Sequence, residues 1–408
     1  MKPRLKDIAR INARVLPEST DPERTFRYID IGAVDRSGNV TLPVKAVSFG
    51  SAPSRARRLA PAGSTVVSTV RTYLRAIARV PDTSDDLVFS TGFAILEPGP
   101  MVDSRYLYYH CRSEPFVGEL VSRSVGVSYP ATNSSVVGRI QVSLPTIDEQ
   151  RRIANFLDRE MEMSRRLLDL RRQQLVVAQD RFNAQLVTAI LTASGGSNRA
   201  RLKYLFDFSR NGVWGQDPVE GSNDVVCVRV ADFDRFSFKA GRNASTLRAV
   251  EPMQFIQRRL HCGDVLIEKS GGGETSPVGF AVNFDGNVES VCSNFVGQLR
   301  PAKGHDARYI GLLMAALYVS GRNVPHIKQT TGIQNLDGPA YLGQEVEVPN
   351  YRAQKAIAAG LDNMLDSLGA YFAGVDRQLA CMQERRQALI TAAVTGQIDV
   401  TTARGADV

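Results

Sequence analysis

Apolar and polar positions along this chain follow two periods, short and long, and the pair of periods occurs twice. Up to about residue 145 apolar residues come in short runs bounded by turn residues, the signature of strands. Phe26 to Ile31 alternates and stops at Gly32, Thr65 to Val70 is β-branched, and Leu87 to Leu96 reads as a pair of strands around Ser90-Thr91-Gly92. Residues 4–15 predict a short helix ahead of these strands, and residues 105–122 a helix after them. After Pro145 the period lengthens. Thr146-Ile147-Asp148-Glu149 fits a capping box, and neither Gly nor Pro occurs between 148 and 192. Leu157, Met161, Ser164, Leu168, Arg171, Leu175, Ala178 and Phe182 step by four and three, and six of these eight are apolar. Ser194-Gly195-Gly196-Ser197 predicts the helix stop and a short flexible link.

The same course then begins again. Arg201-Leu202-Lys203 echoes Arg4-Leu5-Lys6, and Cys227-Val228-Arg229-Val230 is strand-like. Gly263 to Ile267 stands where Gly63 to Val67 stood, a shift of 200, and Asp306 to Ile310 matches Asp103 to Leu107, a shift of 203. Residues 144–161 and 348–365 align without a gap at Pro145/Pro349, Gln150/Gln354, Ile153/Ile357, Ala154/Ala358, Leu157/Leu361 and Asp158/Asp362, six matches in eighteen. A second long helix follows, with Asn350 as its expected cap and Gly396 as its stop, leaving TTARGADV as a frayed tail. Its seam is cleaner: Leu361, Leu365, Leu368, Phe372, Val375, Leu379, Met382, Arg386, Leu389 and Ala393, nine of ten apolar.

An internal repeat fixes architecture ahead of any other inference. The expected divisions are a domain at 1–145, a long helix at 146–195, a second domain at 196–347, and a long helix with its tail at 348–408. The expected fold class is α+β, with two α/β domains joined by two long antiparallel coiled-coil helices in a pseudo-twofold arrangement. Burying both seams within one chain calls for Leu157, Met161, Leu168, Leu175 and Phe182 to pair with Leu361, Leu365, Leu368, Phe372, Val375, Leu379, Met382 and Leu389.

Composition narrows the class of function. With 408 residues, 43% hydrophobic and 23% charged, the chain suits ordinary globular domains. Its longest apolar run, Leu312 to Val319, is far short of the ~20 residues that span a bilayer. The charged N-terminus lacks the apolar core of a secretion signal. Five scattered cysteines, none in CxxC spacing, suit reduced thiols in a cytoplasmic protein and argue against structural zinc. The net charge of +8 is concentrated: residues 1–145 carry 19 Lys and Arg against 13 Asp and Glu. A basic excess is the footprint of a polyanion partner.

Candidate DNA-contacting residues follow from that footprint. Arg55, Arg57 and Arg58 form a basic cluster that fits either a solvated helix face or a phosphate-contacting patch. Arg71, Tyr73 and Arg75 interleave Arg with Tyr after a strand, placing guanidinium groups for phosphates or base edges, or forming the polar face of a strand. Ser90 and Thr91 lie in a turn, and Thr132 and Asn133 in the polar loop Ser128 to Ser135. The second half carries no such basic excess and would need a local patch; its candidates are Lys269, Ser270, Gly271, Ser293, Asn294, Lys328, Gln329, Thr330, Thr331 and Gln334. Ser270 to Gly273 lacks the Gly-Lys-Ser/Thr ending of a P-loop, no GxGxxG opens a helix, and the tetrapeptide of amino-methyltransferases is missing. Metal-nuclease, GxSxG, HExxH and EF-hand patterns are missing as well. These absences argue against a self-contained enzyme.

The repeated Pro…Gln…Ile-Ala…Leu-Asp opening of both helices resembles the specificity (S) subunits of type I restriction–modification systems. So does the C-terminal run Glu384 to Ile398, with a degenerate copy at Asp180 to Ala189. Lys328 to Leu336 and Ser90 to Phe93 resemble that family's target-domain loops, with Tyr129 to Thr132 standing where the second copy has Gln329 to Gly332. The resemblance covers nearly the whole chain. It implies a non-catalytic subunit whose two target recognition domains each contact half of a bipartite double-stranded DNA site. It also implies helices that set the spacing and dock two methyltransferase (M) subunits bringing S-adenosylmethionine. Restriction/translocase (R) subunits bringing ATP and Mg would join that complex, and this chain would hold no cofactor itself. Arg151, Arg152, Arg165 and Arg166 are candidates for partner contact. Two other readings remain open, a stand-alone methyltransferase fused to a recognition domain and a coiled-coil scaffold that binds only protein.

Overall fold

The computed structural model describes residues 2–82, 86–192, 198–218, 224–330 and 332–401. The expected link at Ser194 to Ser197, the candidate Thr331 and most of the C-terminal tail lie outside the described residues. Contacts divide the chain into two units: Met1–Arg171 with Asp376–Val408, and Arg172–Val375. Both long helices contribute to both units.

In unit 1 a one-turn helix α1 (Leu5–Ile8) leads into β1 (Ala9–Ile11), β2 (Thr25–Ile29), β3 (Val47–Ser48), β4 (Ala56–Leu59), β5 (Thr65–Ser68), β6 (Ile77–Arg79), β7 (Leu87–Ser90) and β8 (Phe93–Pro98). Helices α2 (Ser104–Arg112), α3 (Glu114–Ser122) and α4 (Ser134–Val137) follow, then α5 (Ile147–Leu191). The strands form two sheets, ordered β1-β8-β5-β6 and β3-β2-β7-β4. Three expectations are corrected here. The 4–15 helix is a single turn, because Ala9 to Ile11 pairs with β8. The Arg55–Arg58 cluster runs into a strand rather than lying on a helix, since β4 hydrogen-bonds β7. The two strands within Leu87 to Leu96 exist but do not pair with each other: β7 joins β2 and β4, while β8 joins β1 and β5.

Unit 2 repeats this plan with additions. Its elements are β9 (Asn198–Arg201), β10 (Phe206–Asn211), β11 (Asp224–Val228), β12 (Phe233–Asp234), β13 (Lys239–Ala240), β14 (Leu247–Ala249), α6 (Pro252–Arg258), β15 (Val265–Glu268), β16 (Ser270–Gly271) and β17 (Ala281–Phe284). Then come β18 (Ser290–Cys292), β19 (Val296–Pro301), α7 (Ala307–Val319), β20 (Ile327–Thr330), β21 (Ile333–Leu336), α8 (Gly338–Leu342), β22 (Glu345–Val348) and α9 (Tyr351–Thr395). The order β10-β19-β15-β17 reproduces β1-β8-β5-β6, down to register: Val66 faces Ile95 as Leu266 faces Gln298. The parallel pair also recurs, with Tyr28 opposite Val88 and Cys227 opposite Val291. Gly63 and Gly263 turn the chain into β5 and β15 at φ +79° and +92°, a region that side chains with a Cβ rarely adopt. Even the Arg-Leu-Lys echo has a structural basis: Leu5 N donates to Ile140 O and Leu202 N to Gln344 O, both at 2.9 Å, and both leucines are buried.

Helices α5 and α9 have 45 residues each. Thr146 Oγ1 accepts from Glu149 N at 3.4 Å, and Asn350 Oδ1 accepts from Ala353 N at 3.0 Å, satisfying first-turn amides. Gly396, at φ +74°, ends α9. In unit 1, Ile153, Phe156 and Leu157 of α5 share one hydrophobic cluster with Ile390, Ala393 and Val394 of α9. In unit 2, Phe182, Leu186 and Ile190 share another with Ala358, Leu361 and Leu365. Every expected seam position, Arg171 and Arg386 included, is buried or half-buried. Together the elements make an α+β chain.

Candidate nucleic-acid interface

Each unit fixes its long helix with the same joint. Gln150 is buried and uses its whole amide. Its Oε1 accepts from Asp103 N at 2.9 Å, and its Nε2 donates to Pro145 O at 2.9 Å and Met101 O at 3.2 Å. Gln354 does the same, accepting from Asp306 N at 2.8 Å and donating to Pro349 O at 2.8 Å. The two aspartates cap α2 and α7. Two turns further along each long helix, Asp158 receives Arg105 Nη1 at 2.7 Å and Asp362 receives Arg308 Nη2 at 2.7 Å. The matches at Pro, Gln and Asp therefore mark a joint, and those at Ile, Ala and Leu mark the apolar face beside it. The arginine grip is deeper in unit 2, where Arg308 also donates to Phe238 O, Ser237 O and Asn283 Oδ1.

The candidate residues gather where β5 and β15 end. In unit 1, Thr69 N donates to Gly92 O at 2.8 Å, Thr132 N to Thr69 O at 2.8 Å, Arg71 N to Pro130 O at 2.7 Å, and Thr91 N to Arg55 O at 2.8 Å. Four segments distant in sequence are thus tied into one surface, on which Arg55 and Thr91 are exposed. The Arg71 guanidinium lies 4.3 Å from the centre of the Tyr129 ring, a cation–π contact that holds both side chains at the surface. Tyr73 is exposed beside them in sequence, on a short 3-10 turn between two residues in left-handed conformation, Arg71 and Arg75.

Other unit 1 candidates are committed within the fold. Arg75 forms a two-pronged ion pair with Glu114, which lifts the guanidinium pKa and holds the carboxyl below its usual range. Ser90 is buried and its Oγ accepts from Gly92 N, while Asn133 caps α4. Arg57 stacks on Phe49 at 4.5 Å. Burial lowers the pKa of Arg58, whose Nε is buried without a hydrogen bond. Thr132 has its Oγ1 buried likewise.

Unit 2 is stitched by the same bonds one repeat later. Lys269 N donates to Phe295 O and Leu336 N to Lys269 O, both at 2.8 Å, while Ser270 and Gly271 of β16 pair with Asn335 and Gln334. Tyr129 to Thr132 therefore corresponds to Ile333 to Leu336, not to Gln329 to Gly332 as the sequence suggested. Lys269 Nζ donates to Asn211 Oδ1 at 2.6 Å, and burial lowers its pKa. Gln334 is buried, its Oε1 accepting from Val278 N at 3.2 Å. Ser293 is buried and Asn294 exposed, as Ser90 and Thr91 are in unit 1. Lys328 pairs with Asp337 at 2.6 Å, Gln329 is exposed on the β20–β21 hairpin, and Thr330 ends β20. Sequence reasoning passed over Trp214, Arg229 and Phe295, which line a cavity of about 510 Å³ with Glu268, Ser270, Gly271, Ser293 and Asn294. The signal available for Trp214 was that it is the chain's single tryptophan.

The four arginines expected on the outer face of α5, Arg151, Arg152, Arg165 and Arg166, are all exposed. Arg165 and Arg166 both donate to Glu162 at 2.9 Å, and Arg151 lies 3.6 Å from Asp148. Met163, Leu167 and Leu170, spaced by four and three on α5, also stand exposed as an apolar stripe. Among the described residues no group of three or more His, Cys, Asp or Glu is placed to hold a metal ion, and no helix is long and apolar enough to cross a membrane.

No protein-family model matches the chain, and no curated protein matches it. Solved structures do. A chain from work on complex assembly and conformational transition of the type I R-M system matches at a TM-score of 0.70 and 23% identity, over 97% of this chain and 97% of that one. The HsdS subunit from Thermoanaerobacter tengcongensis matches at a TM-score of 0.50 and 23% identity, over 97% of this chain and 96% of that one. The chain has the fold of these proteins.

Proposed function

We propose that this chain is the DNA-specificity subunit of a type I restriction–modification complex, a non-catalytic protein whose two units each read half of a bipartite double-stranded site. The observation that carries the reading is a scaffold built twice with one set of bonds and finished with different side chains. Arg55, Arg71, Thr91 and Tyr129 cap the strand ends of unit 1, whereas Lys269, Asn294, Phe295 and Trp214 occupy that region of unit 2. Identical scaffolds with different tips suit two readers of different half-sites, since base edges are distinguished by side-chain donors and acceptors. Arg71 and Arg55 also suit phosphate contacts, which position a reader without specifying sequence.

The long helices supply the spacer. In this reading α5 and α9 pair antiparallel, supported by the clusters that join the start of α5 to the end of α9 and the end of α5 to the start of α9. At ~1.5 Å per residue a 45-residue helix extends roughly 67 Å, about two turns of DNA. The stripe of Met163, Leu167 and Leu170 is the docking face for one of two methyltransferase subunits, which bring S-adenosylmethionine. Restriction subunits bringing ATP join the complex in the cytoplasm.

The test is selection of duplexes from a random pool by the full chain with its methyltransferase subunit. The expected product is two short conserved blocks separated by an unspecified gap of fixed length. Equal recovery of unrelated sequences overturns the proposal.

A further inference from the structure

The cavity beside Trp214 is more elaborate than a phosphate-contacting surface requires. The Trp214 segment is tied down on both sides: Val213 N donates to Cys292 O at 2.7 Å, and Gln216 N donates to Ala249 O at 2.8 Å. The Arg248 guanidinium covers the indole ring at 4.4 Å, its Nε donates to Trp214 O at 3.1 Å, and it is paired with Asp217. The ring is therefore fixed in place before anything binds. Phe295, half exposed, and Glu268, only 3% exposed, also line the cavity, and Glu268 Oε2 lies 3.3 Å from Arg235 Nη2. Arg229, the cation in the lining, is already engaged by Asp232 at 3.3 Å.

This chemistry does not suit a phosphate, which a buried carboxylate repels. It suits a flat, uncharged ring with hydrogen-bond donors on its edge. A volume of about 510 Å³ lies within the usual range of small-ligand pockets. Aromatic side chains are the common platforms for unstacked bases, and carboxylates accept from base amino groups. The matching positions of unit 1 carry neither the carboxylate nor the ring. The position of Glu268 is Ser68, and that of Phe295 is Gly92, where an added Cβ would meet Ile31 Cδ1 at 2.5 Å.

We infer that the Trp214 cavity of unit 2 receives a single nucleobase bearing an exocyclic amino group, stacked on Trp214 and Phe295 and read at its donor edge by Glu268 and Asn294. The inference rests on the DNA-recognition reading for the source of the base, an extrahelical base of the bound duplex. Burial raises the carboxyl pKa of Glu268, so the acceptor is lost on acidification at a higher pH than for an exposed glutamate.

Trp214 is the only tryptophan in the chain, so the fluorescence of the full-length protein reports on this cavity directly. Titration with dAMP, dCMP, dGMP and dTMP, and separately with the duplex recovered by pool selection, is the experiment. The amino-bearing nucleotides are expected to quench Trp214 at least fivefold more tightly than dTMP. Glu268→Gln, which keeps the side-chain shape, should reduce that preference below twofold. Phe295→Ala, at an exposed position, should abolish quenching by the nucleotides. Quenching by the duplex as well assigns the base to DNA, and quenching by nucleotides alone assigns the cavity to a free nucleotide. A response to the amino-bearing nucleotides no stronger than to dTMP or deoxyribose phosphate overturns the inference. The DNA reading is judged separately: failure of the duplex to bind at all counts against that reading alone.

Discussion

Unit 1 and unit 2 hold their long helices by the same side chains but differ in what surrounds those side chains. Gln150 and Gln354 make matching bonds at both joints, yet Arg105 grips Asp158 at a site about one-third exposed, whereas Arg308 binds Asp362 and three further acceptors in a more enclosed one. The interiors diverge in the same way. His110 in unit 1 stands where unit 2 has Leu313, both buried. Equivalence of the backbone scaffold therefore does not make the units equally stable, and their differences should separate experimentally.

The largest effect is expected at the arginine grip. Arg308→Ala removes the hydrogen bonds to Asp362, Asn283 and two backbone carbonyls at a half-buried site and should cost about 1.5–3 kcal/mol. Arg105→Ala, at a more exposed pair, should cost about 1 kcal/mol or less. Trp214 belongs to unit 2, so urea unfolding followed by its fluorescence should shift strongly for the first variant and little for the second. Equal shifts would break the comparison.

Acid should distinguish the units next. Burial beside Tyr106 and Phe116 pushes the His110 pKa down to about 4, from 6.5 when unfolded. The unfolded chain then binds the extra proton between those values, so stability is intact above pH 6.5 and falls as pH drops toward 4. The full loss is roughly 3 kcal/mol. His110→Leu, the unit 2 residue, should flatten this slope in circular-dichroism melts, and an unchanged slope would assign it elsewhere.

Gln150→Leu and Gln354→Leu should each cost about 1–3 kcal/mol by stranding buried backbone groups, with the two values close to one another. Markedly unequal values would mean that the joints are less alike than their bonds. The smallest effect belongs to the surface. Arg71→Ala should leave stability nearly unchanged while lowering the salt dependence of DNA binding by about one unit of slope.

Much of this scaffold was legible in the sequence, for a physical reason. The two helices have long uninterrupted periods, and the repeated Pro, Gln, Arg and Asp residues make directional bonds that tolerate few substitutes. Gly63 and Gly263 were visible because positive φ leaves little choice of residue. The short strands were harder. The Arg55–Arg58 cluster carries charges on an element whose strand character comes from pairing with β7, which no local pattern reveals. The tips were least legible. Arg75, Ser90 and Gln334 look like surface polar residues in sequence but are occupied by Glu114, Gly92 and Val278. The Trp214 segment reaches its cavity through bonds to Cys292, Arg248 and Ala249, tens of residues away.

The central claim is that the two tips read separate halves of one DNA site. It is tested most directly by repeating the pool selection with Thr91→Ala and with Asn294→Ala, the exposed turn residues at matching positions. The account predicts that each variant relaxes a different block of the bipartite sequence and leaves the gap between blocks unchanged. Relaxation of the same block by both variants, or a changed gap with both blocks intact, would contradict it.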